Sequence, residues 1–242
     1  MKVKITLAYD GSKFHGYQIQ NDGTKTVANK LEKVFKSFQI DSKINASGRT
    51  DSDVHAIGQV IDVVLPTHWK DLTRLKNYLN RACLPDIYIK DIQVVAEAFH
   101  ARYSAKKRLY RYILKVGEPS VFAFPYVSYH DRDIDVEKMQ KAATLFEGEH
   151  DFEYFCKNGS EPKSTIRHIY KCRFYKHKDI LIFSCEGNGF LRSQIRMMVD
   201  FLLKINDDVL TREDLQEQLA KKKIHNRNLA KANGLYLAKI KY

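Results

Sequence analysis

The chain has 242 residues, 44% hydrophobic and 12% aromatic, which suits one large domain or two intimately packed smaller ones and excludes a disordered chain. No apolar run approaches the ~20 residues of a membrane span, and the start lacks the apolar block and cleavage site of a signal peptide, so the cytosol is the expected location. Lysine and arginine total 41 against 29 aspartates and glutamates, a net charge of +12, and such a surface gains affinity for polyanions by releasing counterions from phosphates. On charge alone, a merely soluble basic protein is as good a reading.

In chain order, Val3, Ile5 and Leu7 alternate with Lys2, Lys4 and Thr6, the two-residue period of a first strand. A helix is expected over about residues 26–38, where Val27, Leu31, Val34, Phe35 and Phe38 share one face. A loop around Asp51 leads into a branched strand at residues 59–65. A second helix over about residues 71–83 turns Leu72, Leu75 and Leu79 inward and stops before Pro85, and a strand follows at residues 87–95.

The second half repeats this outline without repeating the sequence. A strand is expected at residues 108–116, then a helix at 135–146 capped by Asp135, with Val136, Met139, Ala143 and Phe146 inward. Two strands, about residues 167–175 and 180–185, precede a long helix from 190 to about 205. A polar helix at 211–222 and a closing strand at 235–242 complete the chain. Each half reads as a sheet backed by two helices, an α+β plan, with the boundary near residues 104–107. The cysteines, Cys83, Cys156, Cys172 and Cys185, are scattered without Cys-x-x-Cys or zinc spacing, and read as reduced packing residues.

Residues 46–56, Ala-Ser-Gly-Arg-Thr-Asp-Ser-Asp-Val-His-Ala, place the Asp51 carboxylate on a short loop beside the fixed cation of Arg49. An ordinary polar hairpin loop is the bland alternative. Asp10, in Tyr-Asp-Gly-Ser, is best read as an Asx turn. Asp10, Asp51 and Asp53 could be imagined as a carboxylate metal site, but their spacing does not demand it. His55 and His100 are too isolated to form a ligand set, and structural or RNA-contact roles suit them better. No Ser-His-Asp order, phosphate-binding P-loop or Gly-x-Gly-x-x-Gly occurs, so ATP and nicotinamide chemistry have no support. An ionised aspartate is a competent nucleophile, and tyrosine offers a flat stacking face. Basic and aromatic residues interleave at 106–112, Lys-Lys-Arg-Leu-Tyr-Arg-Tyr, which suits RNA better than a membrane. Together these groups could cradle a flipped-out base.

Several motifs occur in one order: Tyr9-Asp10-Gly11-x-x-Phe14-x-Gly16-Tyr17-Gln18, then Gly48-Arg49-Thr50-Asp51-x-x-Val54-His55-Ala56. Leu79-Asn80 and Leu84-Pro85-x-Ile87 come next, followed by Phe99-His100-Ala101-Arg102-Tyr103-Ser104-Ala105 and Tyr110-Arg111-Tyr112. Gly148-Glu149-His150-Asp151-Phe152, Gly189-Phe190-Leu191 with Arg196, and Gly234-Leu235-Tyr236-Leu237 complete the set. In this order the chain resembles the TruA family of tRNA pseudouridine synthases along nearly its whole length.

The resemblance implies isomerisation of uridine to pseudouridine at positions 38–40 of the tRNA anticodon stem-loop. It implies a homodimer that binds tRNA and needs no metal or organic cofactor. The implied fold is α+β, two ferredoxin-like or RRM-like halves whose antiparallel sheets join into one central sheet, with helices on one side and an RNA-binding cleft on the other. Residues 1–105 would carry the catalytic loop and residues 106–242 would complete the active site. Asp51 aligns with the nucleophile, attacking C1′ of the ribose or C6 of the base. Tyr110 would stack on the target base and help remove a proton, and Arg196 would pair with Asp51. Arg49 would occupy the space left in the stem, and Leu235 would line the pocket floor. His55, Arg102 and Lys107 are the further expected substrate contacts. Three positions depart from the family pattern. Ser52-Asp53 replaces a small pair such as Ala-Gly, Tyr17 replaces tryptophan, and Asp200 replaces a helix glycine. The loss of glycine restricts the loop, and Asp53 adds negative charge near the nucleophile.

Overall fold

In the computed structural model, residues 1–20, 23–159 and 162–242 are described, and the chain forms two units. The first comprises Met1–Lys106 with Leu237–Tyr242, and the second Lys107–Tyr236.

The first unit begins with β1 (Lys2–Tyr9), whose Val3, Ile5, Leu7 and Tyr9 are buried as the alternation demands. Complete burial of each aliphatic side chain stabilises by roughly 1.5–3 kcal/mol, which sets the strand's register. The helices α1 (Val27–Ser37) and α2 (Leu72–Cys83) start where a side chain accepts from a first-turn amide: Thr26 Oγ1 from Asn29 N at 3.2 Å, and Asp71 Oδ1 from Arg74 N at 2.9 Å. Around β1 run β3 (His55–Val64) and β4 (Ile87–Val94), both antiparallel to it, with the two-residue β2 (Asn45–Ala46) on β3. The strand β10 (Leu235–Lys241) adds to β3, and its residues from Leu237 onward group with the first unit. Gly58 makes this approach possible: a Cβ there would stand 2.3 Å from the Ala238 carbonyl oxygen.

In the second unit β5 (Lys107–Val116), β9 (Ile180–Gly187), β8 (Ile166–His177) and β7 (Gly148–Asp151) lie in that spatial order, all antiparallel. The short β6 (Ser128–His130) pairs parallel to β5. The helix α3 (Val136–Ala143) packs on β8, and α4 (Gln194–Asn206) packs on α3, with α5 (Arg212–Leu219) following. Asp135 caps α3 as expected, and Thr211 with Asp214 forms a capping box on α5. The strands β6 and β7 escape the sequence reading because three or four residues carry too little periodicity. The expected helix start at residue 190 is also wrong. Ser193 takes a left-handed φ of 59°, so α4 begins only at Gln194. Its apolar side is buried through Met198, Phe201, Leu202 and Ile205 in the core of its own unit.

Candidate functional site

The loop carrying Asp51 is held by backbone and buried polar contacts from three directions. Gly16, at φ +88°, lies against it so closely that a Cβ would stand 3.0 Å from Thr50 O and 3.3 Å from the Asp51 carbonyl carbon. The Thr50 carbonyl accepts from Tyr17 N at 3.0 Å, while Thr50 Oγ1 lies 2.8 Å from the Tyr9 hydroxyl in a buried hydrogen bond. Gln59, fully buried on β3, donates to Gly48 O at 2.8 Å. Val54 N closes the turn onto Asp51 O at 3.3 Å. The Asp51 side chain is half-buried and Arg49 is exposed. The loop backbone is thus fixed while the Asp51 side chain keeps partial access to solvent, as a nucleophilic aspartate needs.

His55, expected to touch RNA, is only 2% exposed. Its Nδ1 accepts from the Gly11 amide at 3.0 Å and lies 3.5 Å from Asp10 Oδ1, which itself receives Ser12 N at 3.0 Å and Ser12 Oγ at 2.7 Å. The Asx turn at Asp10 is present, and His55 builds the loop from within.

Arg102, exposed as an RNA contact would be, sits on a turn that Asp62 anchors. Asp62 is 1% exposed; it accepts from Ala101 N at 2.6 Å and Asn45 Nδ2 at 3.1 Å, with Lys2 Nζ at 3.7 Å. The sequence reading passed over Asp62, yet a lone carboxylate in Val-Ile-Asp-Val-Val is a signal, since a buried charge persists only where it is paired.

In the second unit, Tyr110 on β5 is 9% exposed and presents its ring edge-on to Phe190, centroids 5.2 Å apart. Lys107 lies 4.0 Å over the Tyr170 ring and 3.4 Å from Glu186 Oε1. Half-buried Arg196, on the first turn of α4, donates from Nε to Ala230 O at 2.7 Å, while Ala230 N donates to Arg196 O at 3.1 Å. One edge of the guanidinium is thereby fixed in direction. Leu235, buried, opens β10 just after Gly234, where a Cβ would meet the Ile113 carbonyl oxygen at 2.6 Å. Burial pushes the Tyr112 hydroxyl up to about 12, against the pull of Ser128 and Arg196, and it donates to Lys231 O at 2.9 Å.

The protein family described as tRNA pseudouridine synthase matches residues 5–104 and 142–242. Proteins called tRNA pseudouridine synthase A are similar over the full chain. That of Campylobacter jejuni strain 81-176 is 38% identical over 242 residues, covering 100% of both chains. That of Helicobacter hepaticus is 39% identical over 245 residues, covering 99% of this chain and 98% of its own. The chain belongs to the tRNA pseudouridine synthase family. Among solved structures, a chain of a Cbf5–Nop10–Gar1 complex superposes at TM-score 0.37 and 13% identity, covering 81% of this chain and 44% of that one, a likeness too slight to bear on the fold.

As a tRNA pseudouridine synthase, and so an isomerase, the chain accommodates its departures locally. Asp53 takes the left-handed conformation, φ 63°, which favours glycine, with its side chain exposed. Tyr17 is buried, and burial, with Tyr9 and Glu32 acting the same way, raises its hydroxyl pKa far above the usual value. Asp200 finds partners where a glycine would have none: its Oδ2 accepts from Asn226 Nδ2 at 2.8 Å, and Lys204 lies 3.5 Å away. Lys204 in turn donates to Asn226 Oδ1 at 2.8 Å, so Asp200 and Lys204 together grip the segment that leads to Ala230. Among the described residues, the metal-type cluster within 4.8 Å is Asp214, Glu217 and His225, not Asp10, Asp51 and Asp53. His225 presents Nδ1 to Asp214 at 3.1 Å and Nε2 to Glu217 at 2.8 Å, so both ring nitrogens face carboxylates.

Proposed function

We propose that the chain isomerises uridine to pseudouridine at positions 38–40 of the tRNA anticodon stem-loop, with Asp51 as nucleophile. The observation that carries this reading is the Asp51 loop, fixed by Gly16, Thr50 and Gln59 while the Asp51 side chain stays half-exposed. The target nucleotide flips out of the stem at a cost of a few kcal/mol, which phosphate and stacking contacts offset. Arg49 fills the vacated space. Asp51 attacks C1′ or C6, the N1–C1′ bond breaks, and the uracil turns so that C5 bonds to C1′ as the aspartate is released. C5 then loses a proton and N1 gains one, so atoms and electrons balance without a co-reactant. In the second unit Tyr110 serves this uridine by stacking and proton removal, Arg196 by supplying a fixed cation, and Leu235 as an apolar floor. Arg102 and Lys107 bind the phosphates. The enzyme works as a homodimer in the cytoplasm. No helix among the described residues is long and apolar enough to cross a membrane.

The test maps pseudouridine in the anticodon arm of tRNA incubated with wild type, Asp51→Ala and Asp53→Ala in EDTA. Product from wild type and Asp53→Ala but none from folded Asp51→Ala is the expected result. Tight tRNA binding without product from wild type would make the chain a binding protein instead.

A further inference from the structure

Tyr103 is 75% exposed although several hydrogen bonds hold the turn that carries it. Residues 100–104 form a turn in which His100 N donates to Ser104 Oγ at 3.0 Å, Ser104 N to His100 O at 2.9 Å, and Arg102 N to His100 Nδ1 at 3.1 Å. At its centre Ala101 is wholly buried: Asp62 takes its amide, and the Tyr242 hydroxyl donates to its carbonyl at 2.9 Å. The His100 and Tyr103 rings lie 4.4 Å apart, and the Arg102 guanidinium lies 5.6 Å from the Tyr103 ring centroid. A rigid backbone thus holds an aromatic face and a cation out into water, where the ring forgoes its burial.

A basic groove adjoins this turn. Tyr242 packs against Phe99 at 4.9 Å and also lines a groove of about 280 Å³ with Lys4, Thr6, Lys90 and Lys239. It runs over the sheet face opposite to the buried Val3, Ile5 and Leu7. Lysines lining an open groove suit a phosphate chain, and an exposed, preorganised tyrosine stacks on an unpaired base but not on one inside a duplex.

We infer that the Tyr103 turn and the Lys4–Lys90–Lys239 groove form a binding site for an unpaired stretch of RNA, an inference that rests on the RNA-directed reading above. The lysines neutralise successive phosphates, and one base stacks on Tyr103, flanked by Arg102. Because the turn is fixed before binding, little entropy is lost in using it.

The experiment measures binding of the full chain to a single-stranded oligouridylate and to a blunt RNA duplex by fluorescence anisotropy at several salt concentrations. Tyr103→Ala is expected to weaken oligouridylate binding about tenfold and duplex binding little, with Tyr103→Phe retaining it within about twofold, as base stacking requires. Lys239→Ala is expected to lower the salt slope by about 0.7 for a lost phosphate contact. Both side chains are exposed, and unchanged thermal unfolding confirms that the variants are folded. Wild-type binding by Tyr103→Ala overturns the inference, as does a change in oligomeric state instead of RNA affinity. If wild type forms pseudouridine while Tyr103→Ala binds normally, the site alone fails. If Tyr103→Ala loses binding but wild type makes no product, the catalytic reading fails and the site stands.

Discussion

The imidazole of His55 and the amide of Gly11 meet in a buried hydrogen bond of 3.0 Å, joining the end of β1 to the strand that follows the Asp51 loop. Gly11 is there because nothing larger fits: its Cβ would lie 2.3 Å from Val54 O. His55→Ala should therefore leave that amide unsatisfied, destabilise the fold by about 2–3 kcal/mol, and slow catalysis in the surviving folded fraction. His55→Asn, whose side-chain oxygen can accept the same bond, should recover part of both. Denaturant unfolding and single-turnover kinetics on tRNA measure the pair, and equal loss in both variants would deny the hydrogen bond its role.

Asp53 holds a left-handed φ of 63° that glycine adopts without penalty. Asp53→Gly is expected to stabilise by about 0.5–1 kcal/mol and Asp53→Val to destabilise by about 1–2 kcal/mol. Urea midpoints decide this. A glycine variant weaker than wild type would mean that the exposed carboxylate itself supports the turn.

Asp200 grips Asn226, four residues before the Ala230 carbonyl that orients Arg196. Asp200→Ala should lower kcat while leaving tRNA affinity near wild type, at about 1–2 kcal/mol of stability. Asp200→Asn should restore the rate, because it still presents an acceptor to Asn226. If affinity and rate fell together, the grip would be serving the whole unit and not Arg196.

Burial alone would push the Asp86 carboxyl up, but Lys25 at 3.0 Å and Lys30 at 3.1 Å bring it below its ordinary value. A carboxyl depressed in the folded state stabilises at pH above its unfolded value, and that contribution disappears as pH falls through the depressed one. Stability should accordingly decline on acidification from about pH 5 downward. Asp86→Asn should be less stable near neutrality and show a flatter decline. An identical slope in the variant would locate the acid sensitivity in other carboxylates.

Arg49 is exposed on the loop that carries Asp51. If it contacts the RNA backbone, Arg49→Ala should reduce tRNA affinity and lower the salt slope by about 0.7–0.9. Affinity measured between low and physiological salt checks both, and an unchanged slope would place Arg49 away from phosphates.

Much of this protein was legible from sequence. The periodicities of β1, α1 and α2, the Asp135 cap and the ordered motifs around Asp51, Arg102 and Arg196 are local signals, written within a few residues of where they act. What only the tertiary structure decided depends on residues distant in sequence. The last strand joins the first unit because Gly58 admits Ala238, a contact that no window of sequence contains. His55 proved to be an interior support because Gly11, 44 positions earlier, folds back onto its Nδ1. The hydrogen-bond partners of Asp62, in an apolar strand, and of Asp200 lie outside their own segments. Ala101 and Asn226, brought to them by the fold, supply the hydrogen bonds that make each tolerable. A buried polar group is stable only with a partner, and partners are chosen by three-dimensional proximity.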